Sequence, residues 1–219
     1  SAAFSVARAV TINSASADQV TLTRDLQTQY TDWATGSSSG TLASSSSSAL
    51  VIDSPNATDT LKLDYSHGDP LPATLVLNGE FVVDGLPLTS DPLAGHSVNI
   101  GSSTISIAYP AGQGTASNPA VLGTRTAEAS VGTASQISII QRYLKDGHIF
   151  SSTLANGLVI SDTDTGSAIV LRPALPGDAD LSGKVDFNDL VNLARTYGRA
   201  GVDWSAGDFN YDGSVGFDD

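Results

Sequence analysis

The chain has 219 residues and a mass of 22.4 kDa, enough for one or two domains with a real core. Only 15% of residues are charged and 6% aromatic, which excludes a coiled coil and disfavours a helical bundle. Ten Lys and Arg stand against 23 Asp and Glu, a net charge of −13, so nucleic acid and anionic membrane surfaces are expected to repel the chain and cations to attract it.

In chain order, short runs of alternating apolar and polar residues rich in Val, Ile, Thr and Tyr read as half-buried strands. They are Val20–Thr23, Ala49–Asp53, Thr60–Tyr65, Thr74–Asn78, Phe81–Asp84, Ser103–Tyr109, Gln136–Ile140, Gly157–Ser161 and Ala168–Leu171. A short helix over Ile137–Lys145 is the competing reading of one of them. Many short strands imply a mainly β domain over residues 1–172, either a sandwich or a β-solenoid. Residues 36–48 and 114–134 are rich in Ser, Gly, Ala and Thr and read as loops. Pro173–Gly177 reads as a stiff linker.

Catalytic signals are thin along this stretch. Gly36–Gly40 matches the Gly-x-Ser-x-Gly pattern of a nucleophile elbow, but that motif needs a strand before it and a helix after it. His67, His96 and His148 are the three histidines, and no partner constellation surrounds them. Glu80 and Asp84 fall on one face of a strand, which reads as a solvated face more readily than as a glycosidase pair. Trp33 reads as a core anchor. Asn56-Ala-Thr58 is a glycosylation sequon, a short pattern that carries little weight by itself. With no Cys, thiol chemistry, disulfides and zinc thiolates are absent. No apolar run of roughly 18 residues marks a membrane-spanning helix.

The strongest pattern is at the C-terminus, where residues 178–219 carry nine acids and three bases. Asp178, Asp180, Ser182, Asp186 and Asp189 occupy positions 1, 3, 5, 9 and 12 of an EF-hand calcium loop, with Gly183 at position 6. Calcium takes 6–8 oxygens, about 2.3–2.6 Å away, and alternate residues of a tight loop supply them. Lys184 at position 7 offers its backbone carbonyl, and Ser214 takes that place in a second loop. That loop begins thirty residues later, with Asp208, Asn210, Asp212, Gly213 and Asp219 at positions 1, 3, 5, 6 and 12 and Gly216 at position 9. Val185 and Val215 at position 8 are suited to pairing with each other. An exit helix over Phe187–Tyr197, stopped by Gly198, has an apolar i, i+3, i+4, i+7 face, whereas Pro173 and Pro176 forbid an entering helix. Trp204, between the loops, is expected to pack on the exit helix.

A duplicated calcium loop with only an exit helix, and with Asp rather than Glu at position 12, resembles the dockerin type I module. The resemblance covers residues 178–219 and implies Ca2+ at the oxygens named above, with docking to a cohesin-type partner. Because the chain stops at position 12 of the second loop, it reads as a truncated module that lacks its second exit helix. Asp59–Pro72 and Tyr143–Ser152 resemble segments of large secreted planctomycete-type proteins that are β-rich and end in dockerin-like repeats. That resemblance implies a bacterial extracellular or cell-surface protein, structural or adhesive rather than enzymatic. The alternative is a fragment of a carbohydrate-active enzyme, with a polysaccharide as the further partner.

Overall fold

The computed structural model describes residues 8–11, 19–28, 30–42, 49–67, 69–85, 93, 95–108, 136–154 and 157–219. The fold is mainly β, with eleven strands and two α-helices among these residues. The elements are β1 (Arg8–Thr11), β2 (Gln19–Arg24), β3 (Thr31–Ala34), β4 (Ser39–Leu42), β5 (Ala49–Asp64), β6 (Thr74–Asp84), β7 (Ser97–Asn99), β8 (Thr104–Ala108), α1 (Gln136–Lys145), β9 (Ile149–Phe150), β10 (Val159–Asp164), β11 (Ala168–Ala174) and α2 (Phe187–Thr196). No helix among the described residues is long and apolar enough to cross a membrane.

Three readings from the sequence change. The run Gln136–Ile140 is not a strand but the start of α1. Ile139 and Ile140 are adjacent and both buried, which breaks a period of two, while Ile137, Ile140 and Gln141 make an i, i+3, i+4 face. The pairs of runs at 49–53 and 60–65, and at 74–78 and 81–84, are single long strands, β5 and β6. The 36–48 run is not all loop, because Ser39–Leu42 pairs as β4; residues 43–48, the 114–134 loop and the side chains of Asn56 and Thr58 lie outside the described residues.

The chain divides into two compact units. The first gathers Ser1–Pro87, Leu93–Ser106 and His148–Thr153. Its strands pair in parallel: β5 pairs with β1 through its first half, with β2 through its second, and with β6 on its other side. The ladder continues from β6 to β7 and from β7 to β9, again parallel. Parallel, in-register pairing puts like residues above one another. Leu50, Leu75, Val98 and Ile149 form one column, and Val20, Leu61 and Val83 another, all buried. This is the stacking mode of the solenoid alternative, because a sandwich of hairpins would pair its neighbours antiparallel. Among the described residues the β2–β3–β4 meander pairs antiparallel, and it buries Trp33 as expected of an anchor. Fully burying one such aliphatic side chain contributes about 1.5–3 kcal/mol, so each column stabilises the unit.

Buried Asn99 in this unit is bonded at both ends of its amide. Asn99 donates from Nδ2 to Ser152 Oγ at 2.7 Å, and its Oδ1 accepts from the backbone N–H of Gly101 at 3.0 Å and of Ser152 at 3.1 Å. The elbow-like Ser38 sits in the turn from β3 to β4, accepting the Thr35 N–H through its carbonyl, and a strand follows it instead of a helix. Glu80 and Asp84 are both exposed on the even-numbered face of β6, as a solvated face should be.

His96 ties two loops of this unit. Its Nδ1 lies 2.9 Å from the Pro72 carbonyl and its Nε2 3.1 Å from Asp69 Oδ2. A carbonyl and a carboxylate both only accept, so the doubly protonated imidazolium satisfies both contacts. The Asp69 hydrogen bond accordingly raises the His96 pKa above 6.5, against the opposing effect of burial. Burial pushes Asp69 upward, but the hydrogen bonds from His96 and the Leu71 N–H outweigh it and hold Asp69 below 3.8. The His96 contribution is therefore complete below 6.5 and lost as pH rises through its elevated folded value. The Asp69 contribution is present above 3.8 and lost as pH falls through its depressed folded value. His96→Ala is expected to remove up to about 1 kcal/mol at pH near 5 and little above 8, since the pair is partly exposed. Urea unfolding of both proteins at the two pH values checks this, and an equal loss at both would refute it.

Candidate metal centre

The second unit holds Ile107–Gly147 and Leu154–Asp219, together with the short segment Leu88–Pro92. Here β10 and β11 form an antiparallel hairpin that runs through Ala174, so Pro173 pairs with Ile160 within the strand ladder. The chain leaves β11 at Leu175 and turns directly into the first acidic loop.

The carboxylates of Asp178, Asp180 and Asp189 converge, with one oxygen of each lying within 4.8 Å of the others. Asp178 and Asp189 are buried and Asp180 is exposed. The loop's own backbone aims them. Asp178 accepts from the N–H of Ser182 at 2.9 Å and of Gly183 at 2.9 Å. Asp180 accepts from Ser182 at 3.1 Å, and Asp189 accepts from Asp180 at 3.1 Å and Asp186 at 2.7 Å. Burial pushes Asp189 upward, but these N–H donors outweigh it and leave the carboxyl below its usual pKa. Gly183 has φ +85°, the left-handed turn that position 6 requires. Ser182 donates from Oγ to the Lys184 carbonyl at 3.3 Å, so that carbonyl faces the loop. Asp186 stays out of the acid cluster: it caps α2, accepting from the Asn188 N–H at 2.8 Å in a capping box completed by Asp189.

The second loop repeats the five backbone N–H bonds to Asp178, Asp180 and Asp189 at the thirty-residue offset. Asp208 accepts from the N–H of Asp212 at 3.2 Å and of Gly213 at 2.9 Å. Asn210 accepts from Asp212 at 2.9 Å, and Asp219 accepts from Asn210 at 3.3 Å and Gly216 at 2.8 Å. Leu181 and Tyr211, both at position 4, share a left-handed φ of 57° and 60°, and Gly213 has φ +81°. Ser214, at position 7, donates from Oγ to Asp212 at 2.7 Å. Asn210 stands in the place of Asp180, so this loop lacks the trio of acids at positions 1, 3 and 12. Burial raises Asp208 to about 6, and the carboxylates of Asp219 and Asp212 add to the rise.

The position-8 valines do not pair with each other. Val215 is buried and exchanges backbone bonds with residues 198 and 199, whereas Val185 is exposed. The helix after the first loop ends as expected: α2 stops at Thr196, and Gly198 has φ +80°. Trp204 is fully buried and lies against α2 through its 3-10 turn, Trp204–Ala206. Its Nε1 donates to the Asp178 carbonyl at 2.7 Å, and its ring meets Phe209 edge-on at 4.8 Å. One indole thus links the two loops.

Sequence reasoning missed the groups behind the second loop. Gln141 on α1 donates to Asp208, Tyr211 donates its hydroxyl to the Ile160 carbonyl, and Asp203 accepts from the Asp164 N–H at 2.8 Å. The carboxylate of Asp162 is fully buried, and burial with the nearby Asp203 and Asp208 charges pushes its pKa far up. No spacing in the sequence relates Gln141 or Asp162 to the loops.

The donors are carboxylates, an amide and backbone carbonyls, a hard-oxygen set that suits calcium and offers nothing to a soft metal. Carboxylates brought this close repel one another, and a divalent cation removes that repulsion. No family model matches the chain, and neither a curated protein nor a solved structure is significantly similar to it.

Proposed function

We propose that residues 178–219 are a dockerin-like calcium module with one ion per loop, at Asp178, Asp180, Ser182, Lys184 and Asp189 and at Asp208, Asn210, Asp212, Ser214 and Asp219, with Asp186 reaching the first ion through water. The single observation that carries this reading is the hydrogen-bond circuit reproduced in both loops around oxygen ligands in register. The chain is then a non-enzymatic, extracellular structural, adhesion or assembly protein, and the module is its docking element. The surface of α2 supports that role. Phe187 is 74% exposed, Leu190 is exposed beside it, and Phe217, at the equivalent place after the second loop, is 93% exposed. Apolar side chains left in water at matching positions suit a cohesin-type partner.

Calorimetric titration of calcium into chelator-stripped protein tests the reading. Two ions per chain with millimolar or tighter affinity are expected. No heat up to several millimolar would remove both the calcium sites and the module. Phe187→Glu together with Leu190→Glu should abolish calcium-dependent capture by a cohesin-type module while leaving the calcium titration unchanged. Capture that survives would move docking elsewhere.

A further inference from the structure

The two loops have the same internal wiring but different surroundings, and α1 makes the difference. Gln141 is 1% exposed. Its Nε2 donates to Asp208 Oδ2 at 2.9 Å and to the Val202 carbonyl at 2.9 Å, which uses both amide hydrogens. A Cβ placed on Gly213 would come 3.6 Å from Gln141 Oε1, so the amide lies beside positions 1 and 6 of the second loop at once. Asp208 Oδ2 therefore carries two good donors, Gln141 and the Gly213 N–H, while Oδ1 keeps one long bond of 3.2 Å from Asp212. The load on Oδ2 leaves Oδ1 as the oxygen free to take an ion. Tyr211 fastens the same loop to β10, and Asp203 fastens the segment just before it.

We propose that Gln141 is a positioning residue for calcium in the second loop, orienting the Asp208 carboxylate from outside the loop and coupling that ion to the packing of α1. This rests on the calcium reading above. A group that holds a metal ligand in place by hydrogen bonding typically changes affinity 10–100-fold when removed. The second loop's affinity depends on α1; the first loop's does not. By reciprocity, an ion in the second loop stabilises α1.

Each loop carries its own reporter, because the N–H groups of Gly183 and Gly213 bond the first aspartate of their respective loops. Calcium titrations of the full chain, followed by the amide resonances of these two glycines, are compared for the native protein and Gln141→Met, which keeps the volume and loses the donor. The Gly213 midpoint is expected to rise 10–100-fold in the variant with the Gly183 midpoint unmoved. Gln141→Glu, which sets a carboxylate against Asp208, should shift Gly213 further. Equal shifts at both glycines, or none at either, would overturn the positioning role while leaving calcium binding intact. Absence of any calcium response in the native protein would instead remove the calcium reading itself. Should the variants not fold, hydrogen exchange of the α1 amides in the native protein decides. Protection that grows along the Gly213 transition supports the coupling, and protection that follows Gly183 or does not change refutes it.

Discussion

Calcium added to chelator-stripped protein is expected to raise its unfolding free energy by roughly 5 kcal/mol at neutral pH, and by much less near pH 4. An ion that binds only the folded state stabilises it by about 2.7 kcal/mol when present at 100 times its Kd, and two loops double this. The pH dependence comes from Asp208, whose folded pKa of about 6 exceeds the ordinary 3.8. A carboxyl that holds its proton more tightly when folded makes the ion-free protein more stable at low pH, with the advantage lost as pH rises from 3.8 through about 6. Calcium replaces the proton as the partner of Asp208, so its stabilising effect grows over the same interval. Denaturant unfolding with chelator and with saturating calcium, at about pH 4.5 and about pH 7.5, measures all four corners of this cycle. Asp208→Asn should flatten the ion-free pH profile and remove one ion. An equal calcium increment at both pH values would show that Asp208 is not a ligand.

The second large effect lies in the first unit. Gly79→Ala is expected to cost roughly 3–5 kcal/mol, the sum of backbone strain and overpacking. Gly79 has φ +120° and faces Ser54 across the β5–β6 ladder, at the point where the register shifts. An added Cβ would lie 2.2 Å from the Ser54 carbonyl oxygen, and that oxygen is backbone that cannot swing away. The Gly79 N–H is also committed, donating to Ser103 Oγ at 2.8 Å, while that hydroxyl donates to the Leu77 carbonyl at 2.9 Å. Relief would require β5 and β6 to separate and both aliphatic columns to open. Gly95→Ala is the control, with φ +81° and nothing within 4 Å of the new Cβ, so it carries the conformational strain alone. Thermal unfolding should place Gly79→Ala about 10 °C or more below the native protein, with Gly95→Ala within a few degrees of it. If the two variants melt together, the close approach to Ser54 is not what the glycine serves.

The turns of the acidic loops, with Gly183 and Gly213 at positive φ, were legible because they are written in local spacing. A ligand at positions 1, 3, 5 and 12 and a glycine at 6 need no knowledge of the rest of the fold, and the exit helix followed from Phe187, Leu190 and Val191 in the same local way. Strand content was legible from alternation, but strand direction was not. The runs around Leu50 and Leu75 look the same whether the neighbours pair parallel or antiparallel, since both bury alternate residues. Gln136–Ile140 misled because Ile137 and Ile139 satisfy a period of two over too short a span to expose the helical period. Gln141 and Asp162 were invisible for a different reason. Their roles depend on α1, β10 and the second loop meeting in space, across 67 residues in the case of Gln141 and Asp208.

The two units are not consecutive in the chain. The first takes Leu93–Ser106, yields the chain to the second through Gly147, and then recovers His148–Thr153. Its ladder reflects this: Leu50 to Leu75 and Leu75 to Val98 are separated by 25 and 23 residues, but Val98 to Ile149 by 51. Doubling such a spacing costs only about 0.6 kcal/mol in closure entropy, so the finished protein hardly registers it. The growing polypeptide does. During synthesis, Val98 waits for its partner strand until α1 has left the ribosome, and the first unit cannot be completed before Thr153. Neither unit can be excised by cutting the chain once. The N-terminal half expressed alone would present an unpaired strand edge at β7, an open template for another copy of itself.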